Sequence, residues 1–174
     1  MVAVTNTSAT FSEEIKQVWQ LLESVPDPEI PVLSVVDLGI VRDVKVVQGE
    51  NFFIPEIVIT PTYSGCPAMD AISMNIRIAL IANGYRQHRI TSQLSPAWST
   101  DWMTQAGKDK LKSYGIAPPS GKSIDGATME SLTIQCPQCH STDTRLLSEF
   151  GSTSCKALFQ CNDCKEPFDY FKCH

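Results

Sequence analysis

The chain has 174 residues and a formal net charge of −5. That is enough for one ordinary domain with its own core plus a small appendage, and without a cluster of Lys and Arg no nucleic-acid partner is expected. The N-terminus lacks the basic and apolar segments of a signal peptide, and the apolar stretch around Ile76 to Ala82 is interrupted by Arg77 and too short for a bilayer, so the expectation is a cytoplasmic protein with no membrane association.

Thr10 to Ser24 reads as an amphipathic helix: Thr10 and Glu13 have capping-box spacing, and Ile15, Val18, Trp19 and Leu22 fall on one stripe. Pro26, Pro28 and Pro31 stop that helix, and Asp27-Pro-Glu-Ile-Pro31 is expected to be extended. Gly39 marks a turn or cap. Two β-rich runs follow, Ile40 to Val47 and Phe52 to Thr60, joined by a hairpin loop at Gln48 to Asn51, with Pro55 pointing to an edge or a bulge. Pro61 to Pro67 is a loop by composition. It feeds a helix from Ala68 to Asn83, with Met69, Ile72, Ile76 and Leu80 inward and Gly84 as its stop. Arg89 to Leu94 reads as a third strand, and Thr104 to Tyr114 as a short helix ended by Gly115. The order αββαβα predicts an α+β domain over residues 10–116, a small mixed sheet packed by helices on one face. Residues 117–131 read as a linker, with Pro118-Pro-Ser-Gly121 at their start.

Residues 132–174 carry six of the seven cysteines. In a reducing compartment that concentration points to metal rather than disulfides. Cys136-Pro-Gln-Cys139 and Cys161-Asn-Asp-Cys164 are two identical knuckles separated by residues 140 to 160, 21 in all. Each knuckle places two thiolates on one cation, and two complete a tetrahedral site of the zinc-ribbon type. Four thiolates also accept iron, and the sequence does not separate the two metals. So short a segment needs its metal to fold. A thioredoxin-like pair would use one CxxC on a βαβ unit. Haem attachment at Cys136-Pro-Gln-Cys139-His140 would require export and leave Cys161 and Cys164 without a role. The aromatics Phe150, Phe159, Phe168, Tyr170 and Phe171 suit a small core under the metal, any exposed remainder fitting a protein surface better than a phosphate backbone.

Cys66 stands apart, where a loop meets a helix N-terminus. Unpaired backbone N–H groups and the helix dipole favour a thiolate in such a place. A cysteine phosphatase would need Arg six positions on, where Ile72 stands, and His88 is the one histidine before the ribbon. An acceptor thiolate for a metal or cluster fits better than a nucleophile, against the plainer alternative of a small buried side chain. Asp27, Glu29 and Asp37 are either turn and cap residues or partners of Cys66, as an oxygen ligand or a positioning group. Trp98 and Trp102 read as core or domain-contact residues.

Asp27-Pro-Glu-Ile-Pro31, Asp37-Leu-Gly39 and Thr60-Pro-Thr-Tyr-Ser-Gly-Cys-Pro67 resemble the signature of the MIP-eighteen/SufT-like family of iron–sulfur assembly factors, and Pro96-Ala-Trp98, Thr100-Asp-Trp-Met103 and Tyr114-Gly-Ile116 extend the likeness. With the ribbon, including Glu149 to Thr153, Cys155-Lys-Ala157 and Glu166 to Cys173, the combination is similar to accessory proteins of aerobic phenylacetate catabolism. The resemblance implies a cytoplasmic maturation factor beside the multicomponent phenylacetyl-CoA 1,2-epoxidase, itself not an oxidising enzyme. It would aid assembly or transfer of an iron–sulfur cluster to the reductase subunit, which carries a [2Fe–2S] cluster, and would meet other epoxidase subunits; a homodimer is compatible with it. The family's reactive cysteine falls on Cys66, with Glu29 and Asp37 as neighbouring candidates in cluster transfer, and its ribbon ligands on Cys136, Cys139, Cys161 and Cys164. Cys155 matches the pattern as a possible extra ligand. Two other classes stay open: a non-catalytic subunit needed for turnover, and an interaction module that handles no iron.

Overall fold

The computed structural model describes residues 7–50, 52–119 and 129–172, so the middle of the expected linker lies outside the described residues. Helix α1 (Thr7–Glu23) buries Val18 and Leu22 completely, with Ile15 and Trp19 half-buried beside them, as the apolar stripe requires. The proline-rich string that follows is a closed turn rather than an extended segment. Pro26 bridges to Ser34, and Oδ1 of Asp27 accepts the N–H groups of Glu29 at 2.9 Å and Ile30 at 2.7 Å. Prolines exclude a helix here, but the aspartate satisfies two amides and lets the chain fold back.

Strands β1 (Val41–Gln48) and β2 (Phe53–Ile59) pair antiparallel with Gln48 opposite Phe53, and the register shifts between Val41 and Asp43. Helix α2 (Ala68–Ala82) carries the chain across to β3 (Arg89–Ser92), which runs parallel to β2 and gives the sheet order β1-β2-β3. Pairing of β3 begins at Glu56, so β2 is still an edge at Pro55, where a missing N–H costs no ladder bond. Ile72, Ile76 and Leu80 of α2 are buried, and α1 packs on β1, β2 and α2. Helix α3 (Gln105–Tyr114) begins where Thr104 Oγ1 accepts the Gly107 N–H at 2.9 Å and ends on Gly115 in the left-handed conformation. Gly39 is needed for two reasons: its φ is +67°, and a Cβ there would lie 2.3 Å from the Trp102 carbonyl oxygen.

The ribbon is an antiparallel sheet ordered β4-β5-β6, made of β4 (Thr144–Ser148), β5 (Lys156–Cys161) and β6 (Pro167–Phe171). Phe159 stacks on Phe168 and meets Tyr170 edge-on in a core shared with Cys136 and Cys161, while Phe150 is exposed. The ribbon is fastened to the first domain in two ways. Ala117, first residue of the expected linker, donates to the Asp169 carbonyl at 2.8 Å and accepts from Phe171 at 2.9 Å, extending the β6 edge. Cys155 and Phe171 then enter the first domain's core, Phe171 meeting Trp98 edge-on with ring centres 6.1 Å apart. Trp98 is anchored by its indole N–H donating to the Leu38 carbonyl at 2.9 Å. Among the described residues no helix is long and apolar enough to cross a membrane.

A four-thiol cage and a thiol cleft at the domain junction

The two knuckles are built alike. In each, the first cysteine's carbonyl accepts the amide four residues on, from His140 to Cys136 at 3.0 Å and from Lys165 to Cys161 at 3.1 Å. Those two acceptor turns close through His140 and Lys165 at φ of 63° and 66°. The result is a cage in which the sulfurs of Cys136, Cys139, Cys161 and Cys164 all lie within 4.8 Å of one another. Cys136 Sγ is 3.7 Å from Cys164 Sγ, and Cys139 Sγ is 3.5 Å from Cys161 Sγ. A tetrahedron with metal–sulfur bonds of about 2.3 Å has edges of roughly 3.8 Å, so the donor set fits one such ion. The Cys161 and Cys164 sulfurs differ in acidity. Burial works against the Cys161 thiolate, but the amides of Cys164 and Asp163 and the Cys139 thiol bring it down to about 7. Cys164 is pushed up to about 12: the Glu166 amide favours its thiolate, and desolvation with the surrounding sulfurs outweighs that help. A bound cation would remove this conflict.

The second grouping is a cleft between the domains, lined by Asp27, Glu29, Thr62 and Cys66 among apolar side chains of the first domain, and by Cys155 and Phe171 from the ribbon. Its cavity volume is about 10 Å³, room for roughly one water. Cys66 is half-buried in the turn before α2, where its N–H donates to the Tyr63 carbonyl at 3.2 Å and its carbonyl accepts from Met69 at 3.3 Å. Pro67 occupies the cap position of α2, just outside the first turn where the sequence placed it. The Tyr63 hydroxyl interacts with both Cys66 and Ser154, and its pKa is raised, by burial first and then by the Cys66 sulfur despite the bond to Ser154. Cys155 is buried, 3.0 Å from Thr153 Oγ1 and 3.5 Å from Glu29 Oε2. Burial, reinforced by the Glu29 charge, pushes its thiol up to about 11. Asp27 is buried too; desolvation raises its pKa in spite of the two amides it accepts.

Of the predicted cluster-transfer candidates, the structure brings Cys66 and Glu29 into this cleft and adds Cys155 from the other domain. Asp37 lies elsewhere. Its carboxylate accepts from the Ser34 amide and hydroxyl, from Thr104 Oγ1 at 3.1 Å and from Lys110 Nζ at 2.6 Å. It ties α3 to the loop before β1 and does not line the cleft. Asp27 and Tyr63 do belong to the cleft's surroundings. The sequence marked Asp27 as a turn residue or a partner of Cys66, and nothing in the pattern around Tyr63 foretold its bond to Ser154. His88 rests on the Tyr85 carbonyl through Nδ1 at 3.1 Å, outside both groupings.

Two family models match separate parts of the chain. Residues 15–84 match the model of the iron–sulfur cluster assembly protein family, and residues 120–172 match that of the PaaD zinc β-ribbon domain. A protein of Escherichia coli (strain K12), provisionally named as one of the subunits of 1,2-phenylacetyl-CoA epoxidase, is 49% identical over 160 residues, covering 92% of this chain and 93% of its own. The crystal structure of a DUF59 domain of unknown function from Bacillus anthracis is 26% identical, with a TM-score of 0.54, covering 60% of this chain and 96% of that one. A conserved hypothetical protein from Thermotoga maritima is 25% identical, with a TM-score of 0.46 over 55% of this chain and 91% of its own.

Proposed function

The chain belongs to the family in which an iron–sulfur cluster assembly domain is joined to a PaaD zinc β-ribbon, and from that premise we propose that it is an accessory factor of a phenylacetyl-CoA 1,2-epoxidase. In this reading it is cytoplasmic and helps assemble an iron–sulfur cluster or pass it to the reductase subunit. The supporting observation is Cys66, held half-buried at the entrance to α2 in a cleft that it shares with Glu29. A thiol so placed can bind iron cargo and let it go, because solvent and a client can reach it. Cys136, Cys139, Cys161 and Cys164 hold zinc as the resident ion. Zinc has no redox chemistry of its own and would supply folding energy to the ribbon. The domains run over 10–116 and 132–174. The client-facing surface belongs to the first domain around Cys66, with the ribbon as its support and docking element.

The test is anaerobic loading of the epoxidase reductase with [2Fe–2S] cluster, with the full chain added, with the Cys66→Ala variant added, and with neither. Loading at least tenfold slower with the variant is expected; equal loading with variant and native chain would sink the role of Cys66. Metal analysis of protein purified without air should return zinc and little iron from the cage.

A second reading is favoured by the name of the Escherichia coli relative, which makes it part of the epoxidase itself. A stoichiometric component would co-purify with the oxygenase and be needed for turnover even when the reductase arrives already loaded. A chain needed only for loading would not.

A further inference from the structure

We propose that the domain junction is a second metal site, separate from the four-thiol cage, in which Cys66, Cys155 and Glu29, with Asp27 as a further carboxylate, take a single divalent transition-metal ion. The identity of that ion as ferrous iron rests on the accessory reading above and sharpens it: the cargo at the junction is one ion rather than a finished cluster.

Four observations lead there. The donors come from three loops in two domains that have no local reason to meet, yet all line one cleft. The Cys155 thiol donates to Glu29 Oε2 at 3.5 Å, close to the edge between sulfur and oxygen ligands of one tetrahedral ion, about 3.6 Å for bonds of roughly 2.3 and 2.1 Å. The ribbon's two ammonium groups near Cys155 have direct partners elsewhere, although through space Lys156 favours the Asp27 and Cys155 anions and Lys172 interacts with Cys155. Lys156 Nζ faces Asp169 at 3.5 Å, and Lys172 Nζ donates to the Glu149 carbonyl and lies over the Phe150 ring. Two carboxylates and two thiols thus face one cleft, while the ammonium groups that act on them are directly paired with other partners. Finally, a space of roughly one water admits an ion and excludes a two-iron rhomb with its bridging sulfides.

Among the described residues, the cage is the group of three or more donors that already converges within 4.8 Å. The junction donors are poised short of that, and Cys66, the half-exposed member, is the arm that closes the site. On binding, the two S–H bonds break and two S–Fe bonds form. Two protons pass to solvent with the water ligands released, and the iron stays divalent. Thiolate with carboxylate is a mixed soft and hard set suited to iron or zinc, so zinc is a competitor and not a different kind of site.

The experiment uses the full chain with zinc retained in the cage, titrated without air with Co²⁺ as spectroscopic probe and with Fe²⁺. Expected is one further bound ion showing thiolate-to-cobalt charge transfer, with the cage zinc undisplaced. Cys66→Ser and Cys155→Ser should each cut that intensity per bound cobalt about in half and weaken binding at least tenfold. Glu29→Gln should weaken binding at least tenfold while leaving the intensity per bound ion unchanged, which decides the matter if a serine variant does not hold its zinc. No binding beyond the cage, or binding indifferent to Cys155→Ser and Glu29→Gln, overturns the site. If the ion fails to bind while reductase loading still depends on Cys66, the junction site alone is wrong. If it binds as expected while loading ignores Cys66, the accessory reading alone is wrong.

Discussion

Asp27 and Asp37 stand ten positions apart in the loop region between α1 and β1, and their surroundings drive them in opposite directions. Burial would raise Asp37, but the Lys110 ammonium with the Ser34 and Thr104 donors outweighs it, and its pKa falls below the ordinary value. A depressed carboxyl stabilises the fold above the unfolded value and loses that contribution as pH drops through the folded one. Asp37→Ala should therefore cost about 2–4 kcal/mol at pH 7, because several donors lose their acceptor together. Urea denaturation should show the gap to the native chain closing below about pH 4. Asp27 has the reverse sign: its raised pKa means that the charged form is a burden at neutral pH, relieved as pH falls through the folded value. Asp27→Asn keeps an oxygen for the amides of Glu29 and Ile30, so its stability at pH 7 should equal or exceed that of the native chain. The sequence presented these two residues as equals because the deciding partners are distant. Lys110 lies 73 positions from Asp37, and no local pattern announces it.

Elements were legible where one residue dictates the backbone by itself. The α1 stripe, the Gly84 and Gly115 stops and the two knuckles follow from side-chain period, missing Cβ atoms and thiol spacing, all local causes. The turn at Asp27 to Pro31 was less so, since prolines say what the chain avoids and the aspartate's hydrogen bonds say what it adopts. Pro55 was readable as an edge signal, but its edge exists only because β3 is four residues long and starts pairing at Glu56. Gly39 joins the two cases: its turn was expected, whereas the reason it tolerates no side chain is the Trp102 carbonyl from a distant segment. Gly39→Ala combines a left-handed backbone with a clash against main chain, which cannot swing away. A loss of about 2–4 kcal/mol is expected, measurable as a lower urea midpoint with an unchanged slope.

At the scale of the whole molecule, the two domains share a core, and this was the least legible level because it depends on packing between segments that share no pattern. Ribbon spacing predicts a cage; it cannot say that Cys155 and Phe171, on the far side of that small sheet, fill the first domain beneath Trp98. The consequence is energetic coupling. If the cage ion holds the ribbon folded, then stripping it must also withdraw Phe171 from a site where that side chain is 1% exposed. Truncating a buried Phe costs roughly 3–5 kcal/mol, and about 2–4 °C of melting temperature goes with each kcal/mol in a chain of this size. Chelation should therefore lower the melting temperature of the first domain, and Trp98 should report it through a fluorescence change as its aromatic neighbour leaves. Phe171→Ala separates the two domains' fates. With the plug already gone, the first domain should start from a lower melting temperature and respond much less to chelator. An undiminished response in that variant would place the coupling elsewhere, at the Ala117 contacts with β6.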